Sequence, residues 1–123
     1  MFSIERHVVG SYRTNCYVLT SAGQAIVIDP GDEGDRLIRE LGEADVSHIV
    51  LTHCHSDHIG AVNELAERYG AIVCVGRDDA VGVADPHLSG FDEKGSDYRV
   101  ERVDRLLDDG DALAWGEDRL EVI

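Results

Sequence analysis

One lysine, Lys94, stands in the whole chain, and the other ten basic residues are arginines. Against them are 25 acidic residues, which leaves a formal net charge of −14 over 123 residues. A surface so short of positive charge repels nucleic acid phosphates and anionic membranes, so neither is an expected partner. Such a surface is compatible with adaptation to salt, and equally with an ordinary soluble acidic protein. No apolar run approaches the ~18 residues of a membrane span, and no charged-then-apolar leader opens the chain. A cytoplasmic protein is expected on those grounds. Cysteine is sparse: Cys16, Cys54 and Cys74 are scattered and odd in number, and read as reduced thiols, not a disulfide framework. No serine sits in a G-x-S-x-G setting and no glycine-rich phosphate loop is present, which excludes serine hydrolase and nucleotide-binding readings. No repeat, low-complexity tract or linker divides the chain. Its hydrophobic content of 43% is enough for the core of one domain.

Chemistry is concentrated in one stretch, Thr52-His53-Cys54-His55-Ser56-Asp57-His58, which holds three of the six histidines and a carboxylate. Imidazole nitrogens and carboxylate oxygens are ligand types that zinc and iron accept. An apolar run, Ile49-Val50-Leu51, leads in, and a helical pattern over Ile59 to Tyr69 leads out. In extended backbone, residues two apart point the same way. His53 and His55 are therefore expected to close on one ion, with Asp57 next in register. His58 breaks the alternation and is expected to point elsewhere, towards a second ion. Cys54 is expected to face away and to pack as a small apolar residue.

These residues, with Ile59 and Gly60, resemble the H-x-H-x-D-H signature of the metallo-β-lactamase fold superfamily, and within it the glyoxalase II-like hydrolases. Thr14-Asn15-Cys16-Tyr17 and Val27-Ile28-Asp29-Pro30-Gly31 are weaker matches. Asp108-Asp109-Gly110-Asp111, followed by Leu120 to Ile123, is similar to the run-up to the family's next motif. The resemblance implies an α/β (α+β) fold, the four-layer αββα sandwich. Residues 1–123 would be the N-terminal part of that single domain, because the family's three further ligands (a histidine, a bridging aspartate and another histidine) have no counterpart up to Ile123. It implies two divalent ions, zinc first with iron as the alternative. His53, His55, Asp57 and His58 would be metal ligands, and Asp57 also the catalytic carboxylate. Asp29 would support the site from outside the ligand set. On turn chemistry alone, Asp29 is equally an aspartate that bonds its own turn. The implied reaction is hydrolysis of a small-molecule thioester or ester, such as a hydroxyacyl-thiol conjugate, by metal-bound hydroxide. The alternative within the fold is an iron-dependent persulfide dioxygenase. The alternative of another class is an inactive metal-binding fragment. Flavin-linked di-iron reductases fit less well, since their motif has glutamate where His55 stands, and the net charge disfavours nucleases.

Taken in order, Phe2 to Val9 alternates as a half-exposed strand, with His7 on its solvated face. Asn15 to Thr20 is a second strand. Ala25 to Ile28, apolar throughout, is a third strand covered on both faces, and the three suggest an antiparallel meander. Gly34 to Leu41 reads as a helix with an acidic start and Gly42 as its stop. Val46 to Leu51 is a strand containing His48, which is expected to be packed or edge-exposed. Val62, Leu65, Ala66 and Tyr69 mark an amphipathic helix, with Gly60 in its first turn and its N-terminus towards the site. Ala71 to Val75 is a buried strand. Between Gly76 and Asp97 a short helix over Arg77 to Val83 is broken at Asp85-Pro86-His87. A polar loop follows, and His87 is expected to be exposed in it. Tyr98 to Leu107 is expected to be a strand with polar interruptions. Asp108 to Asp111 is expected as a hairpin-type turn, with strands at Ala112 to Trp115 and Arg119 to Ile123.

Overall fold

A computed structural model describes residues 1–123. Six strands form one mixed sheet in chain order: β1 (Ser3–Val9), β2 (Thr14–Ser21), β3 (Gln24–Ile28), β4 (Asp45–Leu51), β5 (Ile72–Gly76) and β6 (Arg105–Leu107). The first three pair antiparallel, as the short turns between them demand. β3 to β6 pair parallel, with helix α1 (Gly34–Leu41) in the β3–β4 crossover and α3 (Val62–Tyr69) in the β4–β5 crossover. A separate antiparallel hairpin is made by β7 (Ala112–Trp115) and β8 (Asp118–Glu121). The expected α/β fold class is borne out: a helical layer, the large sheet and a two-stranded second β layer. No helix is long and apolar enough to cross a membrane.

The central strands explain their own composition. In β3, Val27 joins the helix-side core with Leu37, Ile49, Leu65 and Val73, while Ile26 faces the hairpin with Leu19, Cys74, Leu113 and Trp115. A strand buried on both faces reads as a continuous apolar run, not an alternating one. Burial also raises the thiol pKa of Cys16 to about 12 and of Cys74 to about 11, so both are packing residues. The hairpin is fastened by a buried hydrogen bond, in which Trp115 Nε1 donates to Leu19 O at 3.1 Å. Ser21 Oγ donates to Asp118 at 2.7 Å beside it.

Several expectations need correction. The helical pattern after the histidine cluster is two elements, a single turn α2 (Ser56–Ile59) and then α3. Gly60 therefore lies in the break between them, not in a helix's first turn. A Cβ there would sit 2.4 Å from Gly31 O, so its missing side chain serves backbone packing. Asp85-Pro86 ends one turn, α4 (Ala80–Val83), and starts another, α5 (Pro86–Ser89), because the Asp85 carboxylate caps it by accepting the His87 N–H at 2.9 Å. Tyr98 to Asp104 belongs to no strand, and only Arg105–Leu107 is strand. Asn63 donates to Arg99 O at 2.8 Å and accepts from Glu101 N–H at 3.0 Å, while Val100 N–H donates to Val83 O at 3.0 Å and Asp104 N–H to Val73 O at 2.8 Å. Asp108–Asp111 is a turn, but it connects β6 to a different sheet and closes no hairpin. His7 is not merely solvated, since its Nδ1 meets Glu40 at 2.6 Å.

The turn after β3 and the cluster after β4 are stitched backbone to backbone. Gly60 N–H donates to Gly31 O at 3.1 Å and Ala61 N–H to Pro30 O at 2.9 Å. A Cβ on Gly31 would lie 1.9 Å from Asp57 O, against backbone that cannot swing aside. Gly31→Ala is therefore expected to lower the unfolding free energy by about 2 kcal/mol or more. Gly76→Ala is the control: its Cβ meets nothing closer than 3.9 Å, and its φ of −57° suits any residue. Urea titration followed by circular dichroism checks this, and equal stability of the two variants would contradict the close-packing account.

Candidate metal centre

Neighbouring parallel strands deliver the two halves of the site at one edge of the sheet. Ile28 pairs with Val50, and just beyond, Asp29 N–H donates to Val50 O at 3.0 Å. Asp29 thus leaves β3 beside the point where Thr52 and the histidines leave β4, the C-terminal edge at which sites of layered α/β proteins gather. Asp29 is buried, and its φ of 55° lies in the left-handed region that aspartate tolerates better than most residues.

The Asp29 carboxylate is fully engaged. Oδ1 accepts the Thr52 N–H at 2.8 Å, and Oδ2 accepts the Thr52 hydroxyl and the His58 Nδ1–H, the latter at 2.9 Å. This network assigns two tautomers. Thr52 has one hydroxyl proton and gives it to Asp29, so Thr52 Oγ1 accepts from His53 Nδ1, 2.9 Å away. In the neutral ring of either His53 or His58 the lone pair then lies on Nε2, the form in which imidazole binds a metal. Burial first, and then the neighbouring His58, pushes the His53 pKa below its ordinary value and favours the same neutral form.

The rings converge. His53 and His58 have centroids 3.9 Å apart, and His55 stands edge-on to His53 at 4.9 Å. His58 Nε2 faces Asp57 Oδ2 at 3.3 Å, and that oxygen also accepts the Thr14 hydroxyl at 3.1 Å. A lone pair set against a carboxylate oxygen at this distance is repulsive unless a cation or proton lies between them. The donor set therefore fits a metal ion. Ligand atoms of Asp29, His53 and His58 also lie within 4.8 Å of one another. Because each Asp29 oxygen already accepts from protein donors, its place is behind the histidines.

Two sequence expectations change here. His58 does not point elsewhere, since it is at the middle of the cluster. Extended alternation holds only as far as His55; α2 begins at Ser56, so helical winding and not pleat sets where Asp57 and His58 point. The neighbouring helix is also a single turn, so little macrodipole is added. Cys54 packs against the helix-side core, and burial, then Asp79, raises its thiol pKa, as expected for a residue facing away. Sequence reasoning gave no role to Thr52 or Thr14. Thr52 is part of the motif itself, and Thr14 opens the weaker Thr14-Asn15-Cys16-Tyr17 match, which was the available signal. His87 is exposed, with Nδ1 2.9 Å from Asp92. It also lines a cavity of about 500 Å³ together with Tyr12, His55, Asp57 and Lys94.

Comparison with known proteins agrees with this geometry. The sequence profile of the metallo-beta-lactamase superfamily matches residues 9–123. The "Probable metallo-hydrolase YqgX" of Bacillus subtilis is 33% identical over 122 residues, covering 96% of this chain and 57% of that protein. A hydroxyacylglutathione hydrolase, GloC, of Haemophilus influenzae is 37% identical over 71 residues, 55% of this chain and 34% of that protein. Among solved structures, the BLEG-1 B3 metallo-beta-lactamase superposes with a TM-score of 0.88 at 28% identity, covering 97% of this chain and 59% of that one. The fold neighbours include a di-zinc B3 enzyme, LRA-12 (TM-score 0.71, 30% identity, 87% and 44% covered), and TTHA1623 in a di-iron-bound form (TM-score 0.75, 26% identity, 89% and 56% covered). The chain spans a little over half the length of the first of these relatives.

Asp29→Asn removes the charge that orients His58 and receives the Thr52 hydroxyl. Loss of such an outer partner typically weakens metal binding about 10–100-fold. Competition titration of the full-length protein with a metal-sensitive chelating dye is expected to show that loss, and an unchanged affinity would remove Asp29 from the site.

Proposed function

Because the chain belongs to the metallo-β-lactamase superfamily, we propose that the full-length protein is a metal-dependent hydrolase of a small thioester or related ester. In this reading His53, His55, Asp57 and His58 are this chain's share of the ligands for two divalent ions, zinc first and iron second. The remaining ligands come from residues outside the 123, as the partial coverage of the relatives suggests. These residues are then the N-terminal part of one domain. The observation that carries the proposal is the convergence of His58 Nε2, 3.3 Å from Asp57 Oδ2, with the His53 ring, while Asp29 holds the other nitrogen of His58.

A bound divalent ion supplies Lewis acidity, which lowers the pKa of a coordinated water to about 7 and polarises a substrate carbonyl. The chain's own residues do the rest. Thr52 and Asp29 hold His53 and His58 in the ligand tautomer. Thr14 fixes Asp57 Oδ2, which leaves Oδ1 to take up a proton from the attacking nucleophile. The relative named as a metallo-hydrolase supports metal-dependent hydrolysis, and those named as hydroxyacylglutathione hydrolases support a thioester as the substrate. The di-iron-bound neighbour supports iron as the alternative to zinc, the metal that the second reading, an iron-dependent persulfide dioxygenase, would need.

The purified full-length protein is expected to contain metal and to release thiol from acyl-thiol substrates in a thiol-trapping assay. Chelation should abolish turnover and zinc should restore it. Asp57→Asn is expected to lower kcat by about 100-fold or more. Residues 1–123 alone should turn over little. A metal-free full-length protein, or turnover indifferent to Asp57→Asn, sinks the proposal; oxygen uptake with a persulfide substrate would transfer it to the dioxygenase.

A further inference from the structure

The helical pattern after the histidines is interrupted between α2 and α3, and the interruption is made from outside the helix. In a continuous helix each N–H bonds the carbonyl four residues before it. Here three such donors go elsewhere. Gly60 N–H donates to Gly31 O at 3.1 Å and Ala61 N–H to Pro30 O at 2.9 Å. Asn63 N–H donates to the Tyr98 hydroxyl at 3.3 Å, and that hydroxyl donates in turn to Ile59 O at 2.8 Å. Asn63 N–H and Ile59 O are a ladder pair, so a phenol oxygen from a distant segment stands in the bond they would make. Insertion of a side chain into the ladder is one of the few causes of a sharp helix break.

Tyr98 is held in this position from several sides. Its ring packs on that of Phe91, with centroids 4.8 Å apart, and its own N–H donates to Ser96 Oγ at 3.0 Å. Asn63 returns the contact through its side chain, which bonds Arg99 O and Glu101 N–H. The residue whose ladder bond is diverted thus ties down the segment that diverts it. The break falls directly after Asp57 and His58. Both lie in α2, a single turn, Ser56–Ile59, with little internal bonding to fix its direction. What joins its end therefore decides where it points. As it stands, Asp57 meets the Thr14 hydroxyl and His58 meets Asp29. A helix running unbroken from Ser56 to Tyr69 would impose the axis of α3 on both side chains.

The geometry points to Tyr98 as a positioning residue of the metal centre: by occupying the bond between Ile59 and Asn63, its hydroxyl holds open the joint between α2 and α3 and so sets the direction of Asp57 and His58. Tyr98 acts through α2 and has no part in the reaction itself. The inference takes its ligands from the reading above, but the effect of the hydroxyl on His58 stands without a metal. With the hydroxyl removed, nothing separates Asn63 N–H from Ile59 O. Direct closure of that bond would then draw α2 towards the line of α3 and pull His58 from Asp29.

Two variants of the full-length protein test this. Tyr98→Phe deletes only the oxygen, and Trp115→Phe deletes a buried hydrogen bond to Leu19 O at the other edge of the sheet. Circular dichroism checks that both fold. In the metal-free protein, the His58 Nδ1–H signal is followed in proton–nitrogen correlation spectra. Its bond to Asp29 makes it slow to exchange, and exchange is expected to quicken in Tyr98→Phe alone. Cobalt(II) is then titrated against a competing chelating dye. Its affinity is expected to fall about tenfold in Tyr98→Phe, with a changed visible spectrum of the bound ion, and to stay at the wild-type value in Trp115→Phe. An equal loss in both variants is general loosening and overturns the positioning role. A wild-type His58 signal and wild-type cobalt affinity in Tyr98→Phe overturn it outright. A wild-type protein that binds no cobalt, with the His58 signal altered in Tyr98→Phe alone, keeps the positioning role and removes the metal reading.

Discussion

One buried carboxylate organises the centre of this molecule. Asp29 takes three donors from the segment that follows the next strand, a backbone N–H, a hydroxyl and an imidazole N–H. Together they satisfy a charge that burial would otherwise penalise by several kcal/mol, and the hydroxyl and imidazole bonds hold Nδ1 of His53 and His58 away from the centre of the cluster. The structural role and the chemical role of Asp29 are therefore the same interaction. Its left-handed backbone is the conformation that lets the chain reverse at Pro30 while the side chain turns back towards β4.

The rest of the fold brings these segments together. The parallel pairing of β3 and β4 sets Asp29 and Thr52 side by side. Glycines at 31 and 60 allow the two following loops to touch backbone to backbone. Tyr98, whose hydroxyl donates to Ile59 O at 2.8 Å, pins the far end of the motif from the opposite side. Burial of that phenol raises its pKa to about 12, so the hydroxyl stays a donor under ordinary conditions.

Much of this was legible in the residue pattern. Periodicity located the three antiparallel strands, α1 at its observed bounds, and the strands flanking the motif, because each is a local match between side-chain spacing and one buried face. Ligand-type residues at dense spacing located the cluster. The orientation of His58 was not legible, because it depends on where strand gives way to helix, and the switch at Ser56 has no strong local signal. Nor was the 98–104 segment, whose alternation resembled a strand. Its backbone bonds to side-chain atoms of Asn63 and to isolated carbonyls of Val83 and Val73, all distant in sequence, and no local pattern encodes such partners. Thr52 and Thr14 each act through another residue distant in sequence, which is why their roles emerge only in three dimensions.

The hairpin layer has a practical consequence of its own. Trp115 is the sole tryptophan of the chain, it is 2% exposed, and its ring nitrogen is bonded to β2 across the interface between the two β layers. Its emission is therefore an uncontaminated optical gauge of whether those layers are in contact: short-wavelength while the indole is dry, red-shifted once water reaches it. Loosening at this end of the molecule can be followed in solution without any label, independently of events at the histidines on the other edge of the sheet.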